Sequence, residues 1–225
     1  PATIFLTTDF IEKKLFFWWD AIEYALTATA RTEIDLGFMN SGITAISDLP
    51  QKSEAISKIT RYCKTIANEK KLQLIDNLAA ELAVDLSGQP KGIYEPLSWS
   101  EIEEMSKCGI DFHPHTKTHP IISRVSSKQE MEEITDPKRL IESKLGKEAN
   151  IFCYPNGQRD DFDDETIAAL KSAGYIAAVT GIAGFNNTKT DNDMFRLLRL
   201  AIPEEPIMFK QYICGLELLK RRLLG

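Results

Sequence analysis

The stretch Gly109-Ile110-Asp111-Phe112-His113-Pro114-His115-Thr116-Lys117-Thr118-His119-Pro120 contains all three histidines of this 225-residue chain. Gly109 ends a helical pattern, Ile110 to His115 reads as a short strand, and Pro114 and Pro120 shape the turn that follows. That order is one step of an alternating β/α fold, and such folds place their sites at the carboxyl ends of strands. Residues two apart on a strand share a face, and a turn can return His119 beside His115. Neutral imidazole is the commonest nitrogen ligand for zinc and similar ions, and a neighbouring group that fixes its tautomer strengthens it. The hydroxyls of Thr116 and Thr118 are candidates for that neighbour. A lone loop histidine asks for no chemistry, but an H-x-H-x-x-x-H set holding every histidine points to a metal. The spacing differs from the H-E-x-x-H helix pair of zinc proteases.

The same alternation continues on both sides. Upstream, Thr3 to Thr7 predicts a strand and Phe16 to Ala28 a helix. From Asp48 to Val84 the apolar residues Ile56, Ile59, Cys63 and Ile66, then Leu72, Ile75, Leu78 and Leu82, recur at three and four. The region 48–92 therefore reads as a helical insertion. Ser98 and Glu101 form a capping box for a helix ending at Gly109. Downstream, Ser126 and Gln129 open a helix that closes at Gly146, with Pro137 expected to kink it. A strand over Asn150 to Tyr154 follows, then a helix capped by Asp163 and ended by Gly174. Tyr175 to Thr180 and Arg196 to Ile202 read as strands, and a last helix follows Pro206. The pattern predicts one α/β domain over residues 1–225.

Composition narrows the function classes. A 43% hydrophobic share supports a full core, and 27% charged residues with 9% aromatics is ordinary globular usage. A formal net charge of −6 argues against nucleic acid as a partner. The basic run Lys220-Arg221-Arg222 reads as cations completing a helix end. Cys63, Cys108, Cys153 and Cys214 show no C-x-x-C spacing, which favours a reducing compartment and a cytoplasmic location over a disulfide framework. No apolar run reaches the ~18 residues of a membrane span, and Pro1 to Leu6 reads as a strand rather than a secretion leader.

The segment His115-Thr-Lys-Thr-His119-Pro120 resembles the H-T-x-T-H-P motif of polysaccharide deacetylases, the NodB-homology domain or carbohydrate esterase family four. Ala2-Thr-Ile-Phe-Leu-Thr-Thr8 is similar to the family's second strand. Phe152-Cys-Tyr-Pro-Asn-Gly157 resembles the F-x-Y-P-x-G form of its third motif, and Gly174-Tyr175 with Ala177-Ala-Val-Thr180 the strand after it. Phe17-Trp18-Trp19-Asp20 is familiar from a bacterial subset. The resemblance implies a distorted (β/α) barrel that hydrolyses acetyl groups on N-acetylated sugars of a polysaccharide or glycoconjugate. It implies a divalent metal, usually zinc, with His115 and His119 as ligands. It also places the oxyanion-holding backbone N–H at Asn156, and it points to Tyr154, Pro155 and Asp160 beside the substrate.

Three departures accompany it. The T-F-D-D-G motif, expected before Ala2, is absent, so the barrel is expected to lack its first strand and expose a strand edge. Cys153 stands where the third motif often carries Arg, and no histidine follows His119 to act as general acid. Asp9 and His113 are the candidate third ligands. Asp161, Asp163 and Asp164 accompany Asp160, with Asp163 read as a cap. Trp18 and Trp19 are offered as sugar-stacking or core residues, and Arg199 as a site residue or a surface ion pair. A non-catalytic carbohydrate-binding relic and a different α/β-barrel metal hydrolase are the competing classes.

Overall fold

β1 (Ala2–Leu6) and β4 (Ile110–Pro114) lie parallel in register, Ala2 opposite Ile110 and Leu6 opposite Pro114. The structure, a computed structural model, describes residues 2–86, 92–186 and 193–216. Parallel pairing demands a crossover, and here it is mostly helical. A short α1 (Thr8–Ile11) is followed by α2 (Trp18–Ala28), a hairpin of β2 (Glu33–Asp35) and β3 (Ile43–Ala45), α3 (Leu49–Cys63), α4 (Asn68–Glu81) and α5 (Trp99–Lys107). Past β4 come α6 (Ser127–Leu145), β5 (Ile151–Cys153), α7 (Asp164–Ser172), β6 (Ala177–Ala183), β7 (Leu197–Arg199) and α8 (Pro206–Ile213).

The helix ends follow the residues that predicted them. The Ser98–Glu101 capping box is formed at both bonds, Ser126 accepts from the Gln129 N–H, and the Asp163 carboxylate accepts from the Thr166 N–H. Gly146 closes α6 in the left-handed region at φ 62°, which a side chain would strain. α6 runs through Pro137. The basic run at 220–222 lies outside the described residues.

The expectation of an open (β/α) barrel is met only in its coarser part, an α/β fold with no closed barrel among the described residues. Among the described residues the strands form three separate sheets, β1–β4, the antiparallel β2–β3 hairpin, and the parallel β5–β6–β7. Most strands have only three residues, too few ladder bonds to carry the sheet round to closure. The fold is mixed α/β. β1 hydrogen-bonds to β4 alone, and Ala2 and Thr3 are exposed, as an edge strand requires.

Three apolar clusters replace a barrel core. Ile22 and Leu26 of α2 pack with Ile34, Leu36, Ile46, Ile59, Cys63, Ile75, Leu78 and Leu82, so the helical segment shares its core with α2 and the hairpin. Leu6, Phe112, Ile102 and Ile141 join β1 and β4 to α5 and α6. Phe152, Tyr154, Ile167, Tyr175 and Ala178 join β5 and β6 to α7. No helix among the described residues is long and apolar enough to cross a membrane. All four cysteines are free.

One charge is trapped in the first cluster. Lys71 of α4 is 2% exposed, its Nζ 4.9 Å from the centre of the Trp18 ring. Burial lowers its pKa from 10.5 to about 8. That difference corresponds to about 3 kcal/mol against the charged form. Since the unfolded chain binds this proton more tightly, stability rises as pH climbs from 8 to 10.5. Lys71→Met is therefore expected to be more stable at pH 7 by about 2 kcal/mol, after loss of the cation–π contact. Urea denaturation at pH 7 and pH 10.5 measures this. The gain should narrow at the higher pH, and equal stabilities at pH 7 contradict it.

Candidate metal centre and pocket

The histidine loop is built by unusual backbone. The His115 N–H donates to Leu6 O at 2.8 Å, carrying the β1–β4 pairing one residue beyond the strand. Thr116 and His119 then take φ 66° and 61°, each costing about 1–2 kcal/mol for a residue with a Cβ. The turn returns His119 beside His115, and several bonds hold it there. The His119 N–H donates to Thr116 Oγ1 at 2.9 Å, and Thr7 Oγ1 donates to His115 O at 2.9 Å. Glu133 of α6 accepts from the Lys117 and Thr118 N–H groups, each at 2.8 Å, and from Thr118 Oγ1 at 2.5 Å. The threonine hydroxyls thus brace the loop rather than the imidazole rings they were expected to orient.

The tautomer of His115 is set by a carbonyl instead. Its Nδ1 lies 2.7 Å from Cys153 O at the end of β5. A carbonyl only accepts, so the proton sits on Nδ1 and Nε2 carries the lone pair. That Nε2 faces His119 Nε2 at 3.1 Å, with the rings at 84°. Trp19 and Phe17 meet the His119 ring edge-on, at 4.7 and 5.4 Å between centroids. Burial lowers the His115 pKa to about 4, against the Cys153 bond, and lowers that of His119 to about 3, with His115 adding to it. Both rings are neutral at pH 7, the form that binds metals.

This pair fits a divalent ion. Two nitrogens on a tetrahedral centre at ~2.0–2.1 Å lie ~3.3 Å apart, close to the 3.1 Å observed. Among the described residues, however, no group of three His, Cys, Asp or Glu side chains converges. His113 packs 6.3 Å from its register partner Phe5 with Nδ1 buried and unpaired, away from the pocket lining. Asp9 donates its N–H to Lys117 O, and its carboxylate lies 3.9 Å from Lys14. Neither is brought to the pair.

The pair lies in the wall of a pocket of about 520 Å³. Phe5, Trp18 and Trp19 line it together with Cys153, Tyr154, Asn156 and Arg199. Trp18 belongs to the core at 5% exposure, whereas Trp19 is half-buried and faces the pocket. Tyr154 is fully buried, stacked 3.9 Å from Phe162 with its hydroxyl donating to Phe195 O at 3.0 Å. Burial raises the pKa of that hydroxyl far above its ordinary value. Pro155 is buried in the turn, and Asp160 lies outside the pocket with its carbonyl accepting from Ser123 Oγ. Arg199 lines the pocket and donates from Nε to Thr180 O, rather than forming a surface ion pair.

The Pro155–Gly157 turn presses directly on β6. Asn156 and Gly157 have φ 54° and 68°, and Gly181 donates its N–H to Gly157 O at 2.9 Å. A Cβ on Gly157 would lie 2.4 Å from Gly181 N, and one on Gly181 would lie 2.0 Å from Asn156 O. Gly181→Ala must push the turn away. We expect a loss of about 3 kcal/mol in urea denaturation, and a change under about 0.5 kcal/mol would contradict this packing.

Sequence reasoning missed Glu133 and the pocket residues Thr60 and Lys64. Glu133 had a signal, since it shares the buried stripe of α6 with Ile134, Pro137 and Ile141, and a carboxylate there needs partners. Thr60 and Lys64 had none, because their place depends on how α3 docks.

A family profile for polysaccharide deacetylases matches residues 1–178. The chain belongs to the polysaccharide deacetylase family. Among curated relatives it is 27% identical over 115 residues to YxkH of Bacillus subtilis (strain 168), provisionally named a polysaccharide deacetylase. That match covers 51% of this chain and 39% of the relative, so the chain spans well under half of its length. Similar solved structures include the Streptococcus pyogenes deacetylase PplD in complex with acetate, at 23% identity and TM-score 0.48, covering 54% of this chain and 52% of that one. A polysaccharide deacetylase from Bacillus cereus gives 22% and 0.47, covering 62% and 46%. A pseudoenzyme of the same family from Bacillus anthracis gives 18% and 0.32, covering 36% and 27%.

Proposed function

We propose that this site removes acetyl groups from N-acetylated sugars of a polysaccharide or glycoconjugate, using a divalent ion, zinc by its donor set, held by His115 and His119. The observation that carries the reading is the pair of neutral imidazoles whose Nε2 atoms face each other at 3.1 Å within a pocket. Nitrogen ligands of this kind suit zinc. When bound, such an ion supplies Lewis acidity toward an acetyl carbonyl and makes a water more acidic.

The chain's own residues do the rest. Cys153 O holds the His115 tautomer, and Glu133 holds the turn that aims His119. Trp19, its ring stacked on Phe17, adds apolar surface to the pocket lining against which a sugar can pack. The Asn156 N–H makes no hydrogen bond among the described residues, which leaves it free to meet a carbonyl oxygen as that atom gains charge. Water adds to the acetyl carbon, the C–N bond breaks, and the products are acetate and a free amine. The β1–β4 pair, with α6 and β5 packed beside it, would then serve as the scaffold that holds the two histidines.

A second reading, sugar binding without turnover, is favoured by one observation: no third ligand joins the histidines among the described residues. Acetate release from an N-acetylglucosamine oligomer, with zinc added and with zinc chelated, separates the two. Zinc-dependent release supports the deacetylase. Binding of the oligomer with zinc present but no acetate released would select the binding site.

A further inference from the structure

Two cations in the pocket lining have no carboxylate partner among the described residues. Lys64 caps the C-terminus of α3 and lines the pocket with Thr60. Arg199 lines it from β7. Neither takes part in an ion pair among the described residues. The carboxylate that feels Lys64 is Asp161, but its Oδ2 already accepts from the Gln158 N–H at 2.8 Å and it is also drawn by Arg124. No Asp or Glu is among the described lining residues. Asn156 adds a buried side-chain amide nitrogen with no partner. Lys64 and Arg199 are both exposed, so the described lining carries two solvent-reachable cations and no carboxylate, and charge of one sign lining a cleft draws ligands of the other.

We propose that the sugar bound here carries an anionic group, a carboxylate or a phosphate, read by Lys64 and Arg199. The proposal rests on the deacetylase reading above and names its substrate class. A guanidinium matches either anion through paired N–H groups, and an ammonium supplies a compact charge. Lys64 is carried on the helical segment and Arg199 on β7, so the two reach the pocket from different elements.

Fluorescence of Trp18 and Trp19, both in the pocket lining, reports binding to the full chain. The probes are N-acetylglucosamine, N-acetylglucosamine 6-phosphate and N-acetylmuramic acid, so the two charged sugars distinguish phosphate from carboxylate. At least one charged sugar should bind about tenfold tighter than the neutral one, a charge-assisted bond's worth. That preference should shrink several-fold in Lys64→Gln and in Arg199→Gln, and at about 0.5 M salt. Equal affinity for neutral and charged sugars overturns the anion subsite and leaves the deacetylase reading standing. A preference unchanged in both variants overturns it as well. Failure of all three sugars to bind overturns both.

Discussion

Glu133→Ala is expected to lower stability by about 3 kcal/mol and to weaken metal binding by ~10–100-fold without touching a metal ligand. The carboxylate accepts from two backbone N–H groups and one hydroxyl of the histidine turn, all within 2.8 Å. It does so at 2% exposure, where burial raises its pKa and those bonds oppose the rise. Removing it strands the Lys117 and Thr118 N–H groups in a partly buried site, and a donor left unpaired away from water costs ~1–3 kcal/mol. The turn also holds Thr116 and His119 in left-handed backbone, so losing its brace releases that strain. Glu133→Gln keeps an acceptor oxygen but places an amide donor against other donors, and an intermediate loss is expected. Urea denaturation and zinc titration measure both effects. A Glu133→Ala protein within about 0.5 kcal/mol of wild type, with unaltered zinc affinity, would contradict this role.

His119→Ala is expected to cut zinc-dependent acetate release by at least about a thousand-fold. A site deprived of its Lewis acid forfeits several kcal/mol at the transition state, and each 1.36 kcal/mol is a factor of about ten. The His119 ring is also the surface on which Trp19 and Phe17 rest, so the unfolding midpoint must be checked beside the rate. Added imidazole offers a control, since a free ring filling the hole restores a nitrogen without a covalent tether. Release that survives the substitution in a folded protein would remove His119 from the chemistry.

How much of this was legible in the sequence depends on the range of the interaction. The caps at Ser98, Ser126 and Asp163 are local bonds between residues three apart, and they form as read. The two helices of the 48–92 region follow their apolar spacing. The hairpin of Glu33–Asp35 and Ile43–Ala45 went unread because three-residue strands are too short to show alternation. β6 runs to Ala183, past the expected end at Thr180, because Ala183 pairs with Arg199 of β7 across a register shift, a partner distant in sequence. A metal site could be proposed from three histidines sharing one short segment, and the pair His115 and His119 from the motif they resemble. The tautomer of His115 and the brace on the turn could not, because Cys153 O and Glu133 reach them only through the packing of β5 and α6. The grouping of the strands into three separate sheets was hidden for a similar reason, since it depends on how short strands align across the molecule.

The central claim is that His115 and His119 together hold a metal ion. Elemental analysis of the purified chain after dialysis against zinc, beside a His115→Ala/His119→Ala double variant, tests it most directly. The account predicts about one zinc per chain in the wild type and none in the variant. Equal zinc in both proteins, or none in the wild type, would contradict it.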